Sequence, residues 1–219
     1  MAEPFDVAIV GFGPAGAVAA GLLGQAGLTV GVADKQPGVY GRPRAIVLDH
    51  EILRVFQQLG GLDAVLPHCE PFTPSGYFGV DGRLIRRMTM VAQPTPQGPM
   101  PSMVFGQPPV ERALRAAAAA LPTVTVALSA EALSTEVLSL AQDAAGVTLQ
   151  ARVAGGAAGS TDQTMRAHDA IACDGGARGV RSQLGMALDD LDFDEPWRVV
   201  DVLVNERGRA KPRCGARRW

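Results

Sequence analysis

The 219-residue sequence predicts an α/β fold in which a parallel sheet carries added antiparallel strands, as indicated by a buried strand, a βαβ unit and a later run of strands. "FDVAIV", Phe5 to Val10, is an unbroken run of strand formers bounded by Gly11, which suits a strand buried on both faces of a parallel sheet. Ala15 to Ala26 reads as a helix with Gly27 at its C′ position, and "LTVGVAD", Leu28 to Asp34, reads as the next apolar strand. Together they form a βαβ unit of about thirty residues, the opening of a Rossmann-like domain. "TVTVAL", "TEVLSL" and "GVTLQARV" further on supply strands that make the sheet mixed.

The remaining elements follow in order. "KQPGVYGRPR", Lys35 to Arg44, is a Pro/Gly loop carrying Lys35, Arg42 and Arg44. Ile52, Leu53, Val55, Phe56 and Leu59 space an amphipathic helix that starts at Asp49, whose side chain is placed to cap it. "YFGVDGRLIRRM" alternates around Asp81-Gly82 and predicts a hairpin, followed by a proline-dense loop from Gln93 to Ser102. Glu111 to Ala120 is helical by propensity, with Pro108 and Pro109 tolerated near its first turn and Pro122 just beyond its end. Gly155 to Gln163 reads as an exposed turn, strand character returns in "HDAIACDGG", and "WRVVDVLV", Trp197 to Val204, is the last apolar run. Asn205 to Trp219 holds six of the 20 Lys and Arg residues without periodicity and reads as a disordered basic tail.

Apolar residues make up 47% of the chain, aromatics 5%, and the formal net charge is −2, so the interior is aliphatic and neither nucleic acid nor a membrane is an expected partner. Cys69, Cys173 and Cys214 form no CxxC pair, so neither a zinc site nor a disulfide framework is expected. Asp192, Asp194 and Glu195 lack His or Cys beside them and read as a solvated acidic loop, leaving no metal site expected. Glu3 and Asp6 stand where a signal peptide would be basic, and Val7 to Val10 is too short for a membrane span, so a cytoplasmic protein is expected. Composition carries no signature of a particular oligomer.

Gly11, Gly13 and Gly16 spell G-x-G-x-x-G between the first strand and the first helix, where the motif has a mechanism. The first glycine permits the tight turn, the second lets the backbone approach a pyrophosphate, and the third allows close helix-to-strand packing. The helix N-terminus then offers free N–H groups to the phosphates. Asp34 follows Gly16 by eighteen residues at the end of the second strand, where an acid accepts hydrogen bonds from a ribose. An acid rather than an arginine suits FAD or NAD better than NADP. Pro14 and Ala15 inside the motif, and Lys35 beside Asp34, complete the candidate contacts of this segment.

Three further stretches, "YGRPRAIVLDHEILRVFQQLG", "VFGQPPVERALR" and "IACDGGARGVRSQLGM", join the glycine motif to resemble the FAD-dependent class A aromatic hydroxylases from Phe5 to Val204. The likeness is strongest to their 3-(3-hydroxyphenyl)propionate hydroxylase-like branch, above all in "DLDFDEPWRVVDVLV". The resemblance implies that Arg44 contacts the flavin pyrophosphate, that Gln107 packs along the cofactor, and that Asp174 and Gly175 begin the D-G motif near pyrophosphate and ribose. By the residues alone, Arg44 could cover apolar surface, Gln107 cap the following helix and Asp174 serve as a turn acid. The family pattern D-G-x-x-S-x-V-R has Val180 and Arg181 in place but Arg178 where a capping serine is expected.

The resemblance implies FAD as cofactor, NADH or NADPH as hydride donor, and hydroxylation of a small phenolic substrate by dioxygen through a flavin C4a-hydroperoxide. It implies a discontinuous FAD-binding domain over 1–75 and 104–185, the beginning of a mixed-sheet substrate domain over 76–103 and 186–204, and an N-terminal portion that stops before the family's later G-D motif. No residue is marked as a catalytic base: His50 beside a helix start reads as a surface or capping residue, and His68 and His168 carry less signal. Tyr77 and Phe78 read as core or sheet-face residues rather than ring-stacking ones. Two other readings stand beside this one: an NAD-dependent dehydrogenase, which would hold no flavin, and a non-catalytic nucleotide-binding remnant.

Overall fold

The structure is a computed structural model that describes residues 3–42, 44–72, 75–89, 95, 97–126, 132–155, 160–176, 179–189 and 192. It runs β1 (Phe5–Val10), α1 (Pro14–Gln25), β2 (Val30–Ala33), β3 (Val47–Asp49), α2 (His50–Gln58), α3 (Leu62–Val65), a 3-10 turn (Leu66–His68), β4 (Cys69–Pro71), β5 (Ser75–Phe78) and β6 (Leu84–Met88). Then come β7 (Ser102–Phe105), α4 (Gln107–Ala119), β8 (Val124–Val126), β9 (Ala132–Asp143), β10 (Gly146–Gly155), β11 (Ser160–Ala172) and α5 (Gly179–Gln183). The main sheet has the order β8-β2-β1-β11-β10-β9. Its first four strands are parallel, and β10 and β9 extend it antiparallel. β3, β7 and β4 form a small antiparallel sheet, and β5 pairs with β6.

The unbroken apolar run of β1 is explained by two cores. Val7 and Ile9 face a cluster with Ala17, Val30, Val32 and Leu114, while Ala8 and Val10 face Leu149, Ala167 and Val180 on the other side. Each buried Val, Leu or Ile in these clusters contributes about 1.5–3 kcal/mol, so neither face of β1 tolerates a polar residue. The buried side of α1 is Gly16, Ala17, Ala20, Gly21 and Gly24, a periodicity of size rather than of hydrophobicity. A Cβ at Gly21 would come 2.7 Å from Leu59 Cδ2, so smallness is what lets α1 lie this close to its neighbours.

Several boundaries depart from the sequence expectation. α4 begins at Gln107, four residues before Glu111, because Pro108 and Pro109 occupy its first turn, where no N–H donor is required. β11 begins at Ser160, so the exposed turn expected over Gly155 to Gln163 is shorter at both ends. The expected hairpin is present, with a wider loop in which Gly79 N donates to Arg83 O at 2.9 Å and Asp81 Oδ1 accepts from Arg83 N at 3.0 Å. Tyr77 is 53% and Phe78 63% exposed, against the core reading, since two strands alone cannot bury both faces. Asp49 caps α2 as expected, its Oδ1 accepting from Ile52 N at 2.9 Å. Trp197 to Val204, the tail 205–219, Arg178, Asp194, Glu195 and Cys214 lie outside the described residues.

Candidate functional site

Strands β1, β2 and β11 end at one level, with Val10 paired to Ala33 on one side and to Ala172 on the other. Gly11 N donates to Ala33 O at 2.7 Å and Cys173 N to Val10 O at 2.7 Å. Gly11, Asp34 and Asp174 therefore leave the carboxyl edge of the sheet side by side. The chain moves from β1 to β2 in one direction while β11 lies in the other, which makes this edge a topological switch point, the place where open α/β sheets take ligands.

A cavity of about 380 Å³ opens there, and Gly11, Gly13, Pro14, Asp34, Lys35, Arg44, Gln107, Asp174 and Gly175 line it. Ala15 and Gly16 are not in the wall: Ala15 is exposed on the first turn of α1 and Gly16 is buried behind it. Arg42, His50, His68 and His168 also lie off the wall. His50 is the first residue of α2 rather than its cap, with Nδ1 buried and without a hydrogen-bond partner among the described residues.

The three glycines have different physical reasons. Gly11 has φ +99°, and a Cβ there would come 2.7 Å from the Cys173 carbonyl carbon. A Cβ at Gly16 would overlap the Gly11 carbonyl oxygen. At Gly13 a Cβ would meet nothing within 4 Å among the described residues, so its smallness serves the cavity and not the fold. Gly13 is the N-cap of α1, no side chain caps this helix, and no acid stands in its first turn. First-turn N–H groups thus face a cradle that a side chain would fill, with Lys35 and Arg44 in the same wall. That donor set fits a pyrophosphate. The Arg44 guanidinium stacks over the Tyr40 ring at 4.6 Å.

Asp34 is 6% exposed and already partly engaged. Its Oδ1 accepts from Gln36 N at 3.1 Å, and its Oδ2 accepts from Arg115 Nη2 at 3.1 Å. Arg115 also reaches Glu111 Oε1 at 2.8 Å and lies over the Phe12 ring at 5.2 Å. A carboxylate has about four acceptor positions, so Asp34 keeps capacity for a ribose hydroxyl. Gln107 does not cap α4, where Gly106 stands at the cap. Its Oε1 accepts instead from Arg44 N at 2.6 Å and Ala45 N at 2.9 Å. Asp174 Oδ2 accepts from Val180 N at 3.0 Å, supplying at the start of α5 an acceptor that the sequence reading sought at position 178. Burial, with a smaller push from Asp174, raises the pKa of the Cys173 thiol in the cavity wall.

Glu111 and Arg115 are cavity residues that the sequence reading did not single out. Their signal was the spacing Gln107, Glu111, Arg115, a polar stripe at i, i+4 and i+8 in an alanine-rich segment. Among the described residues no group of three His, Cys, Asp or Glu side chains is placed to hold a metal, and no helix is long and apolar enough to cross a membrane.

A parallel-sheet switch point, a glycine turn opening onto an uncapped helix and a strand-end acid define a dinucleotide-binding α/β domain. The chain belongs to the FAD binding domain family, which it matches over residues 4–217. It is 33% identical over 213 residues to the 3-(3-hydroxy-phenyl)propionate/3-hydroxycinnamic acid hydroxylase of Mycobacterium sp. (strain JLS), covering 96% of this chain and 35% of that protein. It is 34% identical over 202 residues to the probable NADH-specific resorcinol 4-hydroxylase of Rhodococcus jostii (strain RHA1), covering 91% of this chain and 36% of that protein. The chain spans about a third of the length of these curated relatives. Among solved structures it is similar to p-nitrophenol 4-monooxygenase PnpA from Pseudomonas putida DLL-E4, with a TM-score of 0.70, 27% identity, and coverage of 84% of this chain and 44% of that one. The flavin-dependent monooxygenase PieE, solved with FAD and substrate, gives a TM-score of 0.69 and 28% identity over 85% of this chain and 33% of that one.

Proposed function

We propose that this chain is the FAD-holding part of a flavin-dependent aromatic hydroxylase that uses NADH or NADPH and dioxygen to hydroxylate a small phenolic acid. The observation that carries the reading is the cavity at the switch point, whose wall gathers nine of the eleven candidate contacts. In it the first-turn N–H groups of α1 and the open side of Gly13 receive the pyrophosphate, and Lys35 and Arg44 balance its charge. Asp34 accepts from the adenosine ribose. Asp174 holds the start of α5 and its carboxylate stands toward the same ligand. Bound FAD would supply hydride acceptance and oxygen activation, which no side chain can.

The names of the relatives support a phenolic acid as substrate class and NADH as one hydride donor. The β5–β6 hairpin, with Tyr77 and Phe78 exposed, begins the part that covers the aromatic ring. The visible spectrum of the purified chain is the test. Yellow protein that oxidises NADH faster with 3-(3-hydroxyphenyl)propionate present supports the proposal. Yellow protein whose NADH oxidation is indifferent to any phenolic acid keeps the FAD site and removes the hydroxylase. Colourless protein that FAD does not stabilise against heat contradicts both, because a ligand at a hundred times its Kd adds about 2.7 kcal/mol to the folded state.

A further inference from the structure

Gln107, Glu111 and Arg115 stand one above another on the cavity side of α4, and their hydrogen bonds form an unbroken relay. Arg44 N and Ala45 N donate to Gln107 Oε1, and Gln107 Nε2 donates to Glu111 Oε2 at 3.4 Å. Glu111 Oε1 accepts from Arg115 Nη2, which also donates to Asp34 Oδ2. The relay therefore joins the backbone that carries Arg44 to the acid at the tip of β2, across one helix face.

Its polarity depends on Glu111, which is 4% exposed. A carboxylate accepts on both oxygens, whereas the amide of glutamine accepts on one and would turn a donor toward either Gln107 or Arg115. Anchoring α4 to the sheet does not require these charges, because Val110, Leu114 and Ala118 already bury its apolar side. Buried ions carry a desolvation cost that well-packed apolar side chains avoid, so their presence calls for a geometric purpose.

We propose that Gln107, Glu111 and Arg115 are positioning residues that hold Asp34 and the Arg44 loop in one register, so that the grips on ribose and pyrophosphate reinforce each other. The inference rests on the FAD reading above. The experiment is a set of FAD titrations of the full chain, followed by flavin fluorescence, with thermal melts of each ligand-free variant. Asp34→Asn and Arg44→Ala are combined with and without Glu111→Gln, and Gln107→Leu is made alone and with Arg44→Ala. With Glu111 intact, the double variant loses about tenfold less affinity than the product of the single losses, and with Glu111→Gln the losses multiply. Gln107→Leu weakens FAD binding roughly tenfold in the natural background and less than about twofold beside Arg44→Ala. Losses that multiply in every background, with only the melting temperature changed by Glu111→Gln, overturn the proposal. If Glu111→Gln does not fold, Gln107→Leu decides alone, because it leaves Arg115 between both carboxylates. Natural chain that binds no FAD overturns the functional reading itself, a result distinct from multiplicative losses.

Discussion

Arg115 Nη2 lies 3.1 Å from Asp34 Oδ2, so the acid that ends β2 is gripped by the chain's own α4 before any ligand arrives. The same guanidinium serves Glu111, and all three side chains are almost entirely buried. Arg115→Met keeps the volume of the stem and strands two buried carboxylates. The expected loss is about 3–5 kcal/mol, read from urea unfolding at neutral pH. A loss under about 1 kcal/mol, as at an exposed ion pair, would show that the triad is not buried in solution.

Gly13 and Gly16 separate ligand from fold. Gly13 has an extended backbone that any residue adopts, and a Cβ there touches nothing. Gly13→Ala therefore changes ligand-free stability by no more than about 0.5 kcal/mol while weakening FAD binding. Gly16→Ala drives a methyl into the Gly11 carbonyl and destabilises the protein by roughly 1–3 kcal/mol or more. Melting curves with and without FAD distinguish the two.

Asp174 has a structural duty that is measurable without ligand. Its carboxylate accepts from Val180 N, so Asp174→Ala removes the acceptor at the start of α5 and lowers stability by about 1 kcal/mol. Denaturant unfolding of the ligand-free chain checks this, with Asp174→Asn largely restoring it.

The Asp6 carboxylate accepts from Thr29 N at 2.7 Å and from Thr29 Oγ1 at 2.8 Å, clipping the start of β1 to the residue before β2. The hydrogen bond from the Thr29 backbone, more than any other cause, holds its pKa below the ordinary carboxylate value. A depressed folded pKa means that the contribution is present above the unfolded value of about 3.9 and is lost as pH falls through the folded value. Asp6→Asn therefore lowers the melting temperature near neutral pH, and the gap to the natural chain closes in acid. A gap that does not depend on pH would remove the charge from the account.

Much of this was legible in the sequence because the signals are local. The apolar run of β1, the glycine turn and Gly27 each report a backbone condition within a few residues, and the Asp49 cap reports one within a single helical turn. What sequence left open depends on tertiary approach. Gln107 could cap the following helix or pack along a cofactor, and only the return of the Arg44 loop gives its Oε1 two backbone donors. Asp174 meets α5 only after the chain turns back, and Arg115 meets Asp34 across 81 positions, a pairing that no spacing rule anticipates. α4 starts at Gln107 rather than Glu111 because the two prolines, expected only near the first turn, stand inside it behind the Gly106 cap.

In the proposed function, the mouth of α1 and the tip of β2 hold the adenosine diphosphate half of FAD. Competition of ADP against FAD on the full chain at equilibrium tests it most directly. ADP is expected to displace FAD from one site, and Asp34→Asn to weaken both ligands by the same factor, on the order of tenfold. FAD that stays bound against saturating ADP, or affinity for both that ignores Asp34→Asn, would contradict it.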